Sequence, residues 1–198
     1  LAYGFISANY ALKKMRPTSI VALRPNVTQE DAVREFSSRG LSSMYWRMTA
    51  GRLQRIAEAY VPYQFYEVSY VMARATQKRL FAMDAVDGSL DLFEFPQLPS
   101  REQLVTTDTR NRVEPSLSAG AADELLREKA LRVVFQQGFF KVREASLNFV
   151  RRPEIVHLPY WLGFYSSGEI VRCRVMDAVR RRIEGAKASA FFEQWLAA

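Results

Sequence analysis

Two stretches of the chain alternate at a spacing of two, which puts side chains on one face of a strand. In VPYQF, Val61, Tyr63 and Phe65 share a face; in LPYWL, Leu158, Tyr160 and Leu162 do. Each run leads into a second strand-like stretch that ends in the same four letters, Met83-Asp84-Ala85-Val86 and Met176-Asp177-Ala178-Val179. Two antiparallel hairpins are predicted, with Ser166-Ser167-Gly168 supplying turn chemistry in the second. The period changes to that of a helix upstream of each. In NVTQEDAVREFSSRG, Thr28 is a candidate N-cap, Ala32, Val33 and Phe36 form the apolar side, and Gly40 lies past the end. In SAGAADELLREKALRVVFQQG, Leu125, Leu126, Leu131, Val134 and Phe135 recur at helical spacing before Gly138.

These parallels align at nearly constant offsets. Pro62-Tyr63 corresponds to Pro159-Tyr160 at 97 residues, Gly40 to Gly138 at 98, and the MDAV pair stands at 93. The shortening falls at a hairpin tip, where length changes leave strand register intact. Residue types match as well: Leu80, Ala82 and Met83 correspond to Cys173, Val175 and Met176. The expected fold is therefore α+β, an internal duplication of a helix-plus-antiparallel-sheet module. Residues 23–95 form the first repeat and 116–198 the second. Between them, 96–115 reads as a linker or surface excursion rich in proline and polar residues. Less regular segments, 41–59 and 139–155, precede the hairpins.

Both ends add to the repeats. Residues 1–22 form an N-terminal helical or extended segment: Tyr3, Ile6 and Tyr10 stand at helical spacing, and the order of charge and apolarity differs from a secretory signal. At the C-terminus Phe191/Trp195 and Phe192/Leu196 are i,i+4 pairs, predicting a helix that lays an aromatic face on the sheet. Pro96 and Pro99 bar the first repeat from doing the same.

Composition narrows the chemistry. The chain has 198 residues, 48% hydrophobic and 25% charged, as an ordinary globular protein has. No apolar run is long enough for a membrane-crossing helix. A single cysteine, Cys173, excludes an internal disulfide, and with one histidine, His157, no multi-cysteine or histidine metal site is expected. The cytoplasm is the default assignment. The net charge of +7 is uneven: residues 1–59 carry +5, 60–99 carry −2 and 141–198 carry +4. Such basic ends suit an anionic partner.

The candidate catalytic groups each have a structural reading. Asp84 and Asp177 could form a carboxylate pair, but an aspartate at a strand end also accepts backbone N–H groups in the following turn, and no DTG or DSG triplet is present. Cys173 shares a strand face with Val171 and Val175, opposite the flanking Arg172 and Arg174, which fits a small buried hydrophobe. His157 faces away from Tyr160 and is read as locally satisfied. Pro62 and Pro159 are read as strand starts or bulges, with Tyr63 and Tyr160 on the core face. No GxGxxG or P-loop pattern occurs. No catalytic residue, cofactor or metal is assigned.

One stretch, RLFAMDAVDGSLDLFEF, resembles the closing hairpin of PepSY domains, in which a strand ends in Asp-Ala, turns at Gly and returns. The second repeat departs from it, with Arg180-Arg181-Arg182 in place of Asp87-Gly88-Ser89. The resemblance implies a non-catalytic module that binds or modulates other proteins. The function expected is thus a binding or interaction module for a protein or small ligand, with the site in a groove between the units edged by Trp161, Tyr165 and Arg172. The alternative is nucleic acid on an arginine-rich face made by Arg172, Arg174, Arg180, Arg181 and Arg182, with Arg151-Arg152 nearby and Trp161 and Tyr165 stacking bases. An enzyme with an unrecognised site is a second alternative.

Overall fold

The alternating runs are the centres of two strands much longer than the runs themselves, β2 (Arg52–Met72) and β6 (Asn148–Ser167). The computed structural model describes residues 16–38, 41–72, 75–136, 148–167 and 170–198. Within these the protein is α+β, with four helices and one mixed sheet of eight strands. In chain order, the first half holds β1 (Thr18–Leu23), α1 (Gln29–Phe36), α2 (Leu41–Ala50), β2, β3 (Ala75–Asp84) and β4 (Phe93–Phe95). After these come β5 (Leu104–Thr109), α3 (Ala119–Gln136), β6, β7 (Ile170–Asp177), β8 (Arg182–Ile183) and α4 (Ala186–Ala197).

The expected pair of sheet-bearing units is one continuous sheet. β2 and β6 run antiparallel from Arg52↔Ser166 to Ser69↔Asn148, and each carries its own hairpin partner, β3 or β7, on its outer edge. Both faces of the middle of β2 are covered, which is why Ala59 to Tyr66 are buried without a break. A bulge between Gln64 and Tyr66 leaves Arg152, Pro153 and Glu154 of β6 outside the ladder. The buried Gln64 amide answers for the lost bonds: its Nε2 donates to the carbonyls of Arg152 and Glu154, and its Oε1 accepts from Arg151.

Pro62 and Pro159 are neither strand starts nor bulges. They sit inside the two central strands, paired with His157 and Tyr60. Each carbonyl accepts from the residue just past the neighbouring strand's end, Ala85 for Pro62 (2.8 Å) and Ala178 for Pro159 (3.1 Å). In an antiparallel strand a residue's N and O point to the same side. The missing N–H therefore faces the place where β3 or β7 has already turned away, and no ladder bond is lost.

One face of the sheet is covered by α4, which buries Ala188, Phe191 and Phe192 against Tyr160, Leu162, Cys173 and Val175. This is the predicted C-terminal helix, and the Phe192 ring stands 5.4 Å from that of Tyr160. The opposite face is covered crosswise. α1 and α2, from the first half, pack on the second hairpin: Ala32, Phe36, Trp46 and Ala50 lie against Tyr165, Met176 and Ala178. α3, from the second half, packs on the first: Ala122, Leu126 and Ala130, four apart on one stripe, meet Tyr66, Met83, Val68 and Phe81. Thr28 caps α1 by accepting from the Asp31 N–H (3.2 Å). The Phe36 ring lies flat on Gly163, where a Cβ would come within 2.9 Å of it. Burying that ring completely contributes about 2–3 kcal/mol.

The lead-ins to the two helices cross as well. Ala22 of β1 bridges in parallel to His157 of β6, and Arg112 bridges in parallel to Tyr60 of β2. Asn26 N–H donates to the Ala178 carbonyl and Ser116 N–H to the Ala85 carbonyl, at 2.8 and 2.9 Å. The Asn26 amide and the Ser116 hydroxyl then donate to Val179 and Val86 carbonyls. The segment 96–115 is accordingly more than a linker, since it supplies β5, which pairs with β1, and the strip that bridges β2. Of the N-terminal segment 1–22, Thr18 onward is strand; the stretch expected to be helical lies outside the described residues. Among these residues no helix is long and apolar enough to cross a membrane.

Candidate functional site

Tyr63 and Tyr160, each on the α4 face of its strand, bring their hydroxyls to 2.8 Å of one another. Their strands meet two residues earlier, where Val61 pairs with Leu158. Each tyrosine is in turn paired across its hairpin with an aspartate, Tyr63 with Asp84 and Tyr160 with Asp177. Above the two rings lies a cavity of about 180 Å³. Leu90 and Asp91 close it from the first half, and Arg180, Glu184 and the first turn of α4, with Lys187, close it from the second. Burial pushes both phenols well above their usual range, reinforced at Tyr63 by its partner hydroxyl and at Tyr160 by the Asp177 carboxylate. Both are therefore protonated.

The two aspartates do not face each other as a dyad; each holds its own turn. Asp84 Oδ1 accepts from the N–H groups of Val86, Asp87 and Gly88, and Oδ2 accepts from Leu90. Gly88 makes this possible with a φ of +67°, and a side chain there would also collide with Leu125. Burial raises the Asp84 carboxyl above the ordinary carboxylate range, against the pull of those N–H donors. Asp177 Oδ1 accepts from Val179 and Arg180 N–H, both at 2.8 Å, while Oδ2 takes the Arg180 guanidinium at 2.6 Å. The same guanidinium lies 4.3 Å over the Phe93 ring and 3.5 Å from Glu184.

The residues expected at a groove between units lie elsewhere. Trp161 and Tyr165 point to the opposite face of the sheet, beneath α1 and α2, because they alternate with the core-facing Tyr160, Leu162 and Phe164. The Trp161 indole donates to the Val27 carbonyl (3.0 Å) and the Tyr165 hydroxyl to the Phe36 carbonyl (2.7 Å). Arg174 shares that face and is buried, whereas Arg172 beside it is exposed. Arg181, with a φ of 56°, turns the chain out to solvent, and Arg182 pairs with Glu184 at 3.0 Å. Arg152 is tied to Glu67 at 2.6 Å. Of the expected arginines, only Arg180 reaches the cavity.

Cys173 is buried in the α4 core, and burial, with Glu193 nearby, pushes its thiol far above the usual range, away from thiolate chemistry. Among the described residues no three His, Cys, Asp or Glu side chains cluster as a metal site would need. The cavity residues Leu90, Asp91, Glu184 and Lys187 stand in turns and at a helix start, where spacing does not show what a side chain faces. The tyrosines did carry a signal: residues on the same face, 97 apart, recur beside the point where the two strands cross.

His157 offers a pH test. Its ring is half-buried, and Nδ1 is hydrogen-bonded to the Val21 carbonyl at 3.2 Å. Burial lowers its pKa below 6.5, opposed by that hydrogen bond and assisted by Arg112. The unfolded chain therefore takes up the proton first as the pH falls. Stability contributed by the neutral ring is complete above about pH 6.5 and declines as the pH drops towards the folded value. In thermal melts between pH 8 and 5, the advantage of the native protein over His157→Gln should shrink with falling pH. An advantage that stays constant over that range contradicts this.

No protein-family model matches the chain, and no curated protein and no solved structure is significantly similar to it.

Proposed function

We propose that this chain is a non-catalytic binding protein, built by duplication of one α+β module, that takes a small ligand in the cavity over Tyr63 and Tyr160. The observation that carries the reading is the meeting of those two hydroxyls under a cavity to which both halves contribute. Duplication is supported by register. Val61 and Leu158 are 97 residues apart and also pair directly, so a local two-fold through that pair lays β2–β3 on β6–β7. The same operation relates the Ala22–His157 and Arg112–Tyr60 bridges, and the Asn26–Ala178 and Ser116–Ala85 hydrogen bonds. On this reading each half lends its leading strand and helix to the hairpin of the other.

Binding is favoured over catalysis because the reactive groups are committed elsewhere. Both aspartates hold turns, the thiol is buried, and His157 is tied to a strand carbonyl. The likeness of 79–95 to a PepSY hairpin points the same way. A nucleic-acid reading draws less support, since Arg174 is buried and Arg152, Arg180 and Arg182 are paired with carboxylates.

The test uses Ala186, an exposed residue at the cavity rim, replaced by tryptophan to fill the space from outside. A library of neutral and charged compounds of benzene size is screened by ligand-observed NMR against the native protein and Ala186→Trp. Compounds that bind the first and not the second support the reading. If none is lost in the variant, the cavity is not the site.

A further inference from the structure

Resting on that reading, the structure also points to a class of ligand. Two neutral phenols bring two protons to one hydrogen bond. Whichever hydroxyl donates, one O–H remains, and neither tyrosine has another hydrogen-bond partner among the described residues. Both rings are buried, and both line the cavity. A buried donor without an acceptor costs free energy, so the site favours a ligand that delivers an oxygen acceptor to the tyrosine pair.

Size and charge narrow the class further. A cavity of about 150 Å³ accommodates benzene, and this one, at about 180 Å³, has room for a single ring with a short substituent. Its charged lining is balanced, Arg180 and Lys187 against Asp91 and Glu184. Arg180 is already held by Asp177 and Glu184. Beside the rings, across their hairpins, stand Asp84 and Asp177, with Lys129 near Asp84 donating to the Leu90 carbonyl. Arg180 is not free to receive an anion, which finds only Lys187 beside Asp91 and Glu184, and a cation meets Lys187 and Arg180 together with those same carboxylates, so neither sign of charge is favoured. We propose that the cavity binds a neutral, single-ring compound bearing a carbonyl oxygen, which accepts the second proton of the Tyr63–Tyr160 pair.

The experiment compares benzamide, benzene, benzoate and benzylammonium by NMR titration, on the native protein, Ala186→Trp and the double variant Tyr63→Phe with Tyr160→Phe. Replacing both partners of a buried hydrogen bond by groups of the same shape is close to neutral for stability, so the double variant keeps its fold and its cavity. Benzamide should bind the native protein roughly five- to tenfold more tightly than benzene, the worth of one neutral hydrogen bond, and more tightly than either ion. In the double variant its affinity should fall to that of benzene. If benzene matches benzamide, if benzoate or benzylammonium exceeds it, or if the double variant keeps the preference, the class is wrong while the cavity reading stands. If no probe's binding is lost in Ala186→Trp, the cavity reading fails instead.

Discussion

Asp84→Ala should destabilise the protein by about 3–5 kcal/mol, lowering the melting temperature by roughly 10 °C for a chain of this length. The carboxylate is fully buried and accepts four backbone N–H groups, two of which, those of Gly88 and Leu90, are themselves buried. Alanine offers none of them an acceptor, and each buried orphan donor costs about 1–3 kcal/mol. The turn cannot open to find water without pulling Leu90 from the α4 core and Gly88 from beneath Leu125. Asp177→Ala should cost less, because its two N–H donors are only partly buried and Arg180 keeps Glu184 and the Phe93 ring. Asp84→Asn, which retains one oxygen for the turn, should fall between native and alanine. Chemical denaturation of the three variants checks the order; an Asp84→Ala cost under 1 kcal/mol, or one below that of Asp177→Ala, contradicts the account.

Cutting the chain between Gln97 and Leu98, by an inserted protease site, should leave one folded body. Both residues are exposed, so cleavage there disturbs little. The N-terminal fragment keeps β1, α1, α2 and the first hairpin, and the other keeps β5, α3, the second hairpin and α4. The β2–β6 ladder, the β1–β5 ladder, the parallel bridges of Ala22 to His157 and Arg112 to Tyr60, and the exchange of helices across the sheet then hold them together. Among the described residues, neither fragment alone has a helix of its own over the hairpin face that α1 or α3 covers. The fragments should co-elute in size-exclusion chromatography and unfold in a single transition, and each expressed alone should show no cooperative transition. Independent folding of either fragment would mean that the two halves are domains after all.

Local structure was largely legible in the chain. The α1 boundary follows from Thr28 and Asp31, the α4 face from the Phe191/Trp195 spacing, and the two hairpins from period-two alternation. Three local features escaped for identifiable reasons. α2 carries Leu41, Met44, Tyr45 and Met48 at helical spacing, but the fold exposes Met44, Tyr45 and Met48 and buries Ala50, so that stripe does not mark the packed face. The first third of β2 carries a bulge at Leu53/Arg55, which breaks the alternation. β5, LVTTDT, is an edge strand with one neighbour, and its polar positions look like those of a loop.

The candidate site divides in the same way. From residue order alone it follows that Tyr63 and Tyr160 stand on the core faces of their hairpins, and that Asp84 and Asp177 lead into turns, because alternation and turn chemistry act over a few residues. Which hairpin each helix covers, and whether two hairpins make two sheets or one, is not a local property. β2 and β6 each have a free edge that either could have closed within its own half, and the long ladder between them, with burial on both faces, decides the matter. Only that pairing brings the two tyrosine hydroxyls into contact and sets Arg180 beside Leu90 and Asp91 at a shared cavity.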